Sequence, residues 1–236
     1  MLLHNRKIFF QGLALTAGFL MILGYMFTPN FNGTNAFHAS DNLFNSISKG
    51  STYYIPQVME GATAFEGKAF SVTIFTDEPD ALSKATTLLT QNNCIVSPQQ
   101  GGIMVTGDLG ALMIRATEDS DAMFKNNGTA LSEKYGMNEK EAMYIWWKTM
   151  KEIKVALDQQ KIFAPASFMD RDVIKRAIEV GYNFYGIEGQ KAADRWGIIL
   201  FSLVFYVAYT MWWGYAIFFM FEGLGLAMTA GKKKEM

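Results

Sequence analysis

The residues best suited to hold a metal or attack a substrate are few in this chain. It has two histidines, one cysteine and 15 methionines. His4 precedes a long uncharged run and His38 follows it. A helix of that length holds them about 30 Å apart, too far to share an ion. One cysteine, Cys94, leaves no internal disulfide and no iron–sulfur or cysteine-rich zinc site built from this chain alone. A Ser–His–Asp or Cys–His device would have to use His38, which lies in a weakly patterned segment, and such geometry needs rigid support. Met143 with Met150, or Met104 with Met113, offers soft sulfur to Cu(I). The same spacings suit ordinary core filling, which is the simpler reading.

Carboxylates gather at Asp77, Glu78 and Asp80, and again at Glu118, Asp119 and Asp121. Oxygen ligands of this kind suit a divalent cation. Both clusters are read instead as helix openings, where negative charge complements the macrodipole. Neither matches an EF-hand loop. Gly107-x-x-Gly110 lacks the Walker lysine and is read as a turn between strands, so it is no phosphate loop. Adjacent Trp146 and Trp147 lie 100° apart on a helix. Trp146 then belongs to an apolar stripe, and Trp147 sits at its edge with Tyr144 and Lys151, as a contact surface or as plain packing. No residue set makes an active site, no metal site is expected, and no cofactor is called for.

What positions these residues is a chain of two chemistries. Half of the 236 residues are hydrophobic, and they are unevenly placed. Residues 8–27 are 20 uncharged residues and residues 196–221 are 26, each long enough to cross a bilayer. A signal peptide has a shorter apolar region ending in a small-x-small site, and none follows Phe27. The first run is therefore read as an uncleaved anchor. Trp196, Tyr25 and Phe27 mark one membrane interface. Arg6 and Lys7 flank one side of the spans together with Lys232, Lys233 and Lys234, against Lys191 and Arg195 on the other. This imbalance places both termini in the cytoplasm, in residues 1–7 and 222–236, and the middle outside, in the periplasm of an inner-membrane protein.

Neither span is uniformly apolar. Gln11, Ala14, Gly18 and Tyr25 share one face of the first helix, and Ala14 with Gly18 forms a small-xxx-small pair. Ser202, Tyr206, Tyr209, Thr210 and Trp213 share one face of the second. Hydroxyls in hydrocarbon seek partners, so these faces meet protein: each other, or other subunits.

Between the spans, residues 28–66 read as an irregular lead-in with short helices around 42–47 and 56–63. Residues 67–195 read as an α+β extracytoplasmic domain, a small sheet plus several helices. Strands are expected at 70–75, 94–96, 103–106 and 111–115, with a helix from Asp77 to Gln91. A broken helix covers 119–135. Asn138-x-x-Glu141 opens a long helix to about 160, with Met143, Trp146, Met150, Ile153 and Leu157 inward. Ser167-x-x-Asp170 opens another, with Val173, Ile174, Ala177, Ile178 and Tyr182 inward. Asn32-Gly33-Thr34 and Asn127-Gly128-Thr129 match glycosylation acceptors, a pattern common by chance.

Residues 28–195 carry a net charge of −4, which excludes nucleic acid as a partner. The expected partners are the lipid bilayer and other integral membrane subunits, copies of the chain itself, or both. The reading that follows is a non-catalytic accessory subunit of a respiratory or transport-type membrane complex. A homo-oligomeric scaffold or channel is the alternative, and a sensor acting through partner helices comes third.

Overall fold

The computed structural model describes residues 3–74 and 79–226. Asp77, Glu78, Lys232, Lys233 and Lys234 fall outside the described residues. The chain divides into two compact units, residues 48–189 and residues 1–47 with 190–236. Together they are a mostly helical α+β domain with one small open sheet, flanked by two long apolar helices.

The flanking helices are α1 (Arg6–Met26) and α10 (Trp196–Gly223). Asn5 caps α1, its side chain accepting from the Ile8 amide at 3.3 Å. The two helices run antiparallel in close contact. At one end the Gly223 carbonyl accepts from the His4 and Asn5 amides at 2.9 and 3.0 Å, satisfying a helix-end group that would otherwise be orphaned. Gly223 lies on the Phe9 backbone and Gly12 on the Met220 and Ala216 backbones, where an added Cβ would come within 3 Å. Farther along, the Phe19 ring stacks on Tyr209 at 4.1 Å and leans on Trp213 at 4.5 Å. Trp212 Nε1 donates to the Leu15 carbonyl at 3.0 Å.

After α1 the chain reverses at Asn32 and Gly33, whose φ values of 59° and 82° make a tight turn bridged by Phe31 and Thr34. Asn-Gly is the pair such a turn demands, so this tripeptide has a conformational role of its own. Helix α2 (Ala36–Ser51) follows, then α3 (Ile55–Ala62), so much of the lead-in is helical.

The domain's sheet has the order β1-β3-β2 and is antiparallel throughout: β1 (Ala69–Ile74), β2 (Ile95–Gln99) and β3 (Gly102–Asp108). Strand β1 alternates strictly. Phe70, Val72 and Ile74 are buried, while Ala69, Ser71 and Thr73 are exposed. Helices α4 (Pro79–Gln91) and α7 (Glu139–Gln159) pack against the sheet, with Leu88, Leu89, Trp146 and Ile153 fully buried. Pro98 sits in the edge strand β2, where a missing amide donor is tolerated. Asn138 caps α7 as its motif requires, accepting from the Lys140 and Glu141 amides.

Residues 111–115 are not a strand. They lie in α5 (Leu109–Phe124), whose Asp108 cap accepts from the Ala111 amide at 2.9 Å. A short apolar run has no period to separate a buried strand from a buried helix. Gly107-x-x-Gly110 therefore does lead into a helix. Gly110 is required there because a Cβ would meet the Glu66 amide at 2.2 Å. Helix α6 is Thr129–Tyr135, and the break before it matches the expected interruption. Ser167 does not open a helix. It lies inside α8 (Phe163–Phe168), which begins before it and carries Pro165 in its first turn. The chain then widens into a π-helix over Met169–Ile178, closed by the Glu179 amide bonding Ile174, and ends as α9 (Glu179–Asn183). Val173, Ile174, Ala177 and Ile178 are buried as expected, but Tyr182 is exposed.

Cys94 is buried against Gly107, and burial aided by Asp108 lifts its thiol to about 11. At pH 8 almost none is thiolate, the form that reacts. A thiol reagent should leave the folded protein in detergent unlabelled at pH 8 and label it fully after denaturation. Rapid labelling of the folded chain would contradict this packing.

Candidate functional site

The two long helices meet partly on the faces singled out in the sequence and partly on neighbouring residues. On α1, the contact surface is Gly12, Thr16 and Phe19; on α10, it is Tyr209, Trp212, Ala216, Met220 and Gly223. Gln11, Ala14 and Tyr25 are exposed, and only Gly18 of that face reaches α10, beneath the Trp212 ring. The α10 face divides. Tyr209 and Trp213 stack on Phe19, whereas Tyr206 is 67% exposed and Thr210 is exposed. Thr210 and Ser202 satisfy their hydroxyls within their own helix, donating to the Tyr206 and Ile198 carbonyls at 2.7 and 2.8 Å. Gly12 and Thr16, four residues apart, are the small pair that brings the helices together, and the same spacing rule could have found them.

On the domain, Trp147 stands where the helical wheel put it. It stacks with Tyr144 at 5.9 Å, and Lys151 Nζ lies 3.8 Å from its ring centre. Its Nε1 donates to Glu179 at 3.0 Å. Tyr144, Trp147, Glu179 and Tyr182 border a shallow groove of about 310 Å³ between α7 and α9. Aromatic walls with one carboxylate suit a cation, yet Lys151 already supplies one to Trp147.

Three buried charges carry the domain's electrostatics. Asp119 is 6% exposed and accepts from Lys134 Nζ at 3.0 Å, Trp146 Nε1 at 2.8 Å and the Tyr135 hydroxyl. Asn92 donates in turn to the Tyr135 hydroxyl at 2.8 Å. Burial first, and the Asp119 charge second, push the Tyr135 phenol well above its ordinary range. Lys49, also 6% exposed, donates to Asn126 Oδ1 and to the Phe184 and Ile187 carbonyls at 3.1, 3.1 and 2.5 Å. Desolvation lowers its ammonium below the usual lysine range, partly opposed by Glu188. Asp172, in the π-helix, is held by Arg171 and Arg176 at 2.8 and 3.0 Å. The burial of all three escaped the sequence reading, which took Asp119 only as part of a helix-opening acidic cluster. Asp119 had a signal, because it occupies the apolar spacing of Leu112, Ala116 and Met123.

Glu118, Asp119 and Asp121 lie in the body of α5, not at its start, and they point to different partners. Glu118 pairs with Arg115, and Asp121 accepts from Tyr53 and Lys125. Among the described residues no three His, Cys, Asp or Glu side chains gather as metal ligands. Met143, Met150 and Met113 are fully buried in the core, and Met104 lies beside Gln99. The arrangement binds helices to one another. Comparison with protein families, with characterised proteins and with solved structures matches none of them.

Replacing Asp119 with alanine orphans two buried donors and should cost about 3 kcal/mol, read as a lowered Tm of the purified protein. Glu118→Ala, which breaks an exposed pair, should cost under about 1 kcal/mol. Because the folded phenol of Tyr135 lies above its unfolded value, its contribution is present below about pH 10 and lost as pH rises beyond it. Lys49 acts with the opposite sign, since its lowered value makes folding easier as pH rises toward about 10.5. Tyr135→Phe should therefore make Tm fall less between pH 9 and 11 than in the parent protein.

Proposed function

We propose that this chain is a non-catalytic accessory subunit of a larger integral membrane complex of respiratory or transport type. Helices α1 and α10 cross the inner membrane as an antiparallel hairpin. Both ends of the chain face the cytoplasm, and the domain stands outside, in the periplasm. Length and apolar composition support the crossing. The excess of basic residues at the outer ends of the spans supports the orientation.

One observation carries the reading of a subunit. The hairpin closes on glycine, threonine and aromatic contacts and leaves Gln11, Tyr206 and Thr210 on its outside. A glutamine amide facing hydrocarbon is costly, and a tyrosine away from the interface buries a polar tip in lipid. A second protein surface there relieves both. The Trp147 groove then offers a further contact outside the bilayer.

Purification from native membranes in mild detergent should bring down a fixed set of other membrane proteins in constant ratio. Gln11→Leu combined with Tyr206→Leu should shed them while leaving the chain itself in the membrane. A symmetric assembly of this chain alone would replace this reading with the homo-oligomeric scaffold. A chain that runs as a monomer without partners would refute both.

A further inference from the structure

Helix α2 is amphipathic. Ala36, Ala39, Ser40, Leu43 and Phe44 follow one another at helical spacing along one face. His38, Asp41 and Asn42 are exposed on the other. The first face borders a cavity of about 630 Å³ whose remaining walls are the last turn of α1, with Ile22, Tyr25 and Met26, Phe31 just beyond it, and the first turns of α10, with Ile198, Phe201, Ser202 and Phe205. Its lining is overwhelmingly apolar. The volume is in the range of sites that hold a ligand of many heavy atoms, and well beyond a packing defect.

We infer that this cavity holds the acyl chain of a membrane phospholipid, with α2 lying in the interface as its cover. The inference rests on the reading that α1 and α10 span the bilayer. Two of the cavity's three walls are then segments at bilayer depth, so the space is continuous with hydrocarbon. Water does not fill an apolar void of this kind, and the bilayer supplies the chains at high concentration. Phe27 packs against Phe37 at 5.0 Å and Tyr25 against Phe31 at 5.6 Å near this end of the hairpin, and Tyr25, with Trp196 at the start of α10, is a side chain that favours the headgroup level. A helix with one apolar arc and a polar opposite face is the form that lies in this plane.

The test uses the full chain in vesicles of phosphatidylethanolamine and phosphatidylglycerol, doped with a phosphatidylcholine carrying a diazirine in its acyl chain. Irradiation should place label on α2 as well as on the exposed α10 positions Leu203 and Val207. Ala39→Trp and Ser202→Phe, which fill the cavity from different walls, should each abolish label on α2 and leave it on α10. Absence of label from α2 in the parent chain, or its persistence in both filled variants, overturns the inference. A photoreactive residue at position 40 that captures a protein in native membranes, in place of lipid, also overturns it. If alkaline carbonate extracts the chain and α10 itself takes no label, the spanning reading is what fails.

Discussion

A buried ionised carboxylate is costly unless donors meet it, and that constraint organises the domain. Asp119 on α5 is met by Lys134 and Tyr135 from α6 and by Trp146 from α7, while Asn92, just past α4, secures the Tyr135 hydroxyl. Apolar packing alone permits helices to slide and rotate at small cost. One charge with directional partners on two other helices selects a single arrangement. Trp146 and Met143, both on α7, are fully buried in the core.

A second constraint acts where the chain enters and leaves the domain. The Lys49 ammonium, at the end of α2, is wrapped by the carbonyls of Phe184 and Ile187 and by Asn126, whose φ of 61° is a conformation asparagine tolerates. Asn126 also accepts from the Gly186 amide. Residues far apart in sequence are thereby fastened side by side, with the buried charge offset by three acceptors.

The long helices show a division of labour along their surfaces. Residues without bulk, Gly12 and Gly223, are consumed by the contact between them, so backbones approach and aromatic rings interlock. The hydroxyls of Ser202 and Thr210 turn back onto their own helix. Gln11 and Tyr206 are left outward. The outward surface is otherwise apolar, with Leu13, Leu20, Leu203 and Val207 exposed, so these two side chains stand out on it.

Much of this was legible in the chain itself. Two charge-free runs of bilayer length, the alternation of Phe70, Val72 and Ile74, the Asn138 cap and the inward stripe of α7 each follow from a local period or a local hydrogen bond. Trp147 was placed correctly for the same reason, since a helical wheel needs only neighbours in sequence. What sequence alone left undecided depended on contacts between distant residues. The run 111–115 became helix because Asp108 caps it and Gly110 packs on Glu66, and its own apolar pattern allows either form. The burial of Lys49, Asp119 and Asp172 was invisible because a charge looks solvated until its partners, often tens of residues away, are brought to it. Which side of each long helix faces the other was likewise decided by shape. Steric fit at Gly12 and Gly223 outweighed the polarity that a wheel can display, because close backbone contact is gained only where no side chain intervenes.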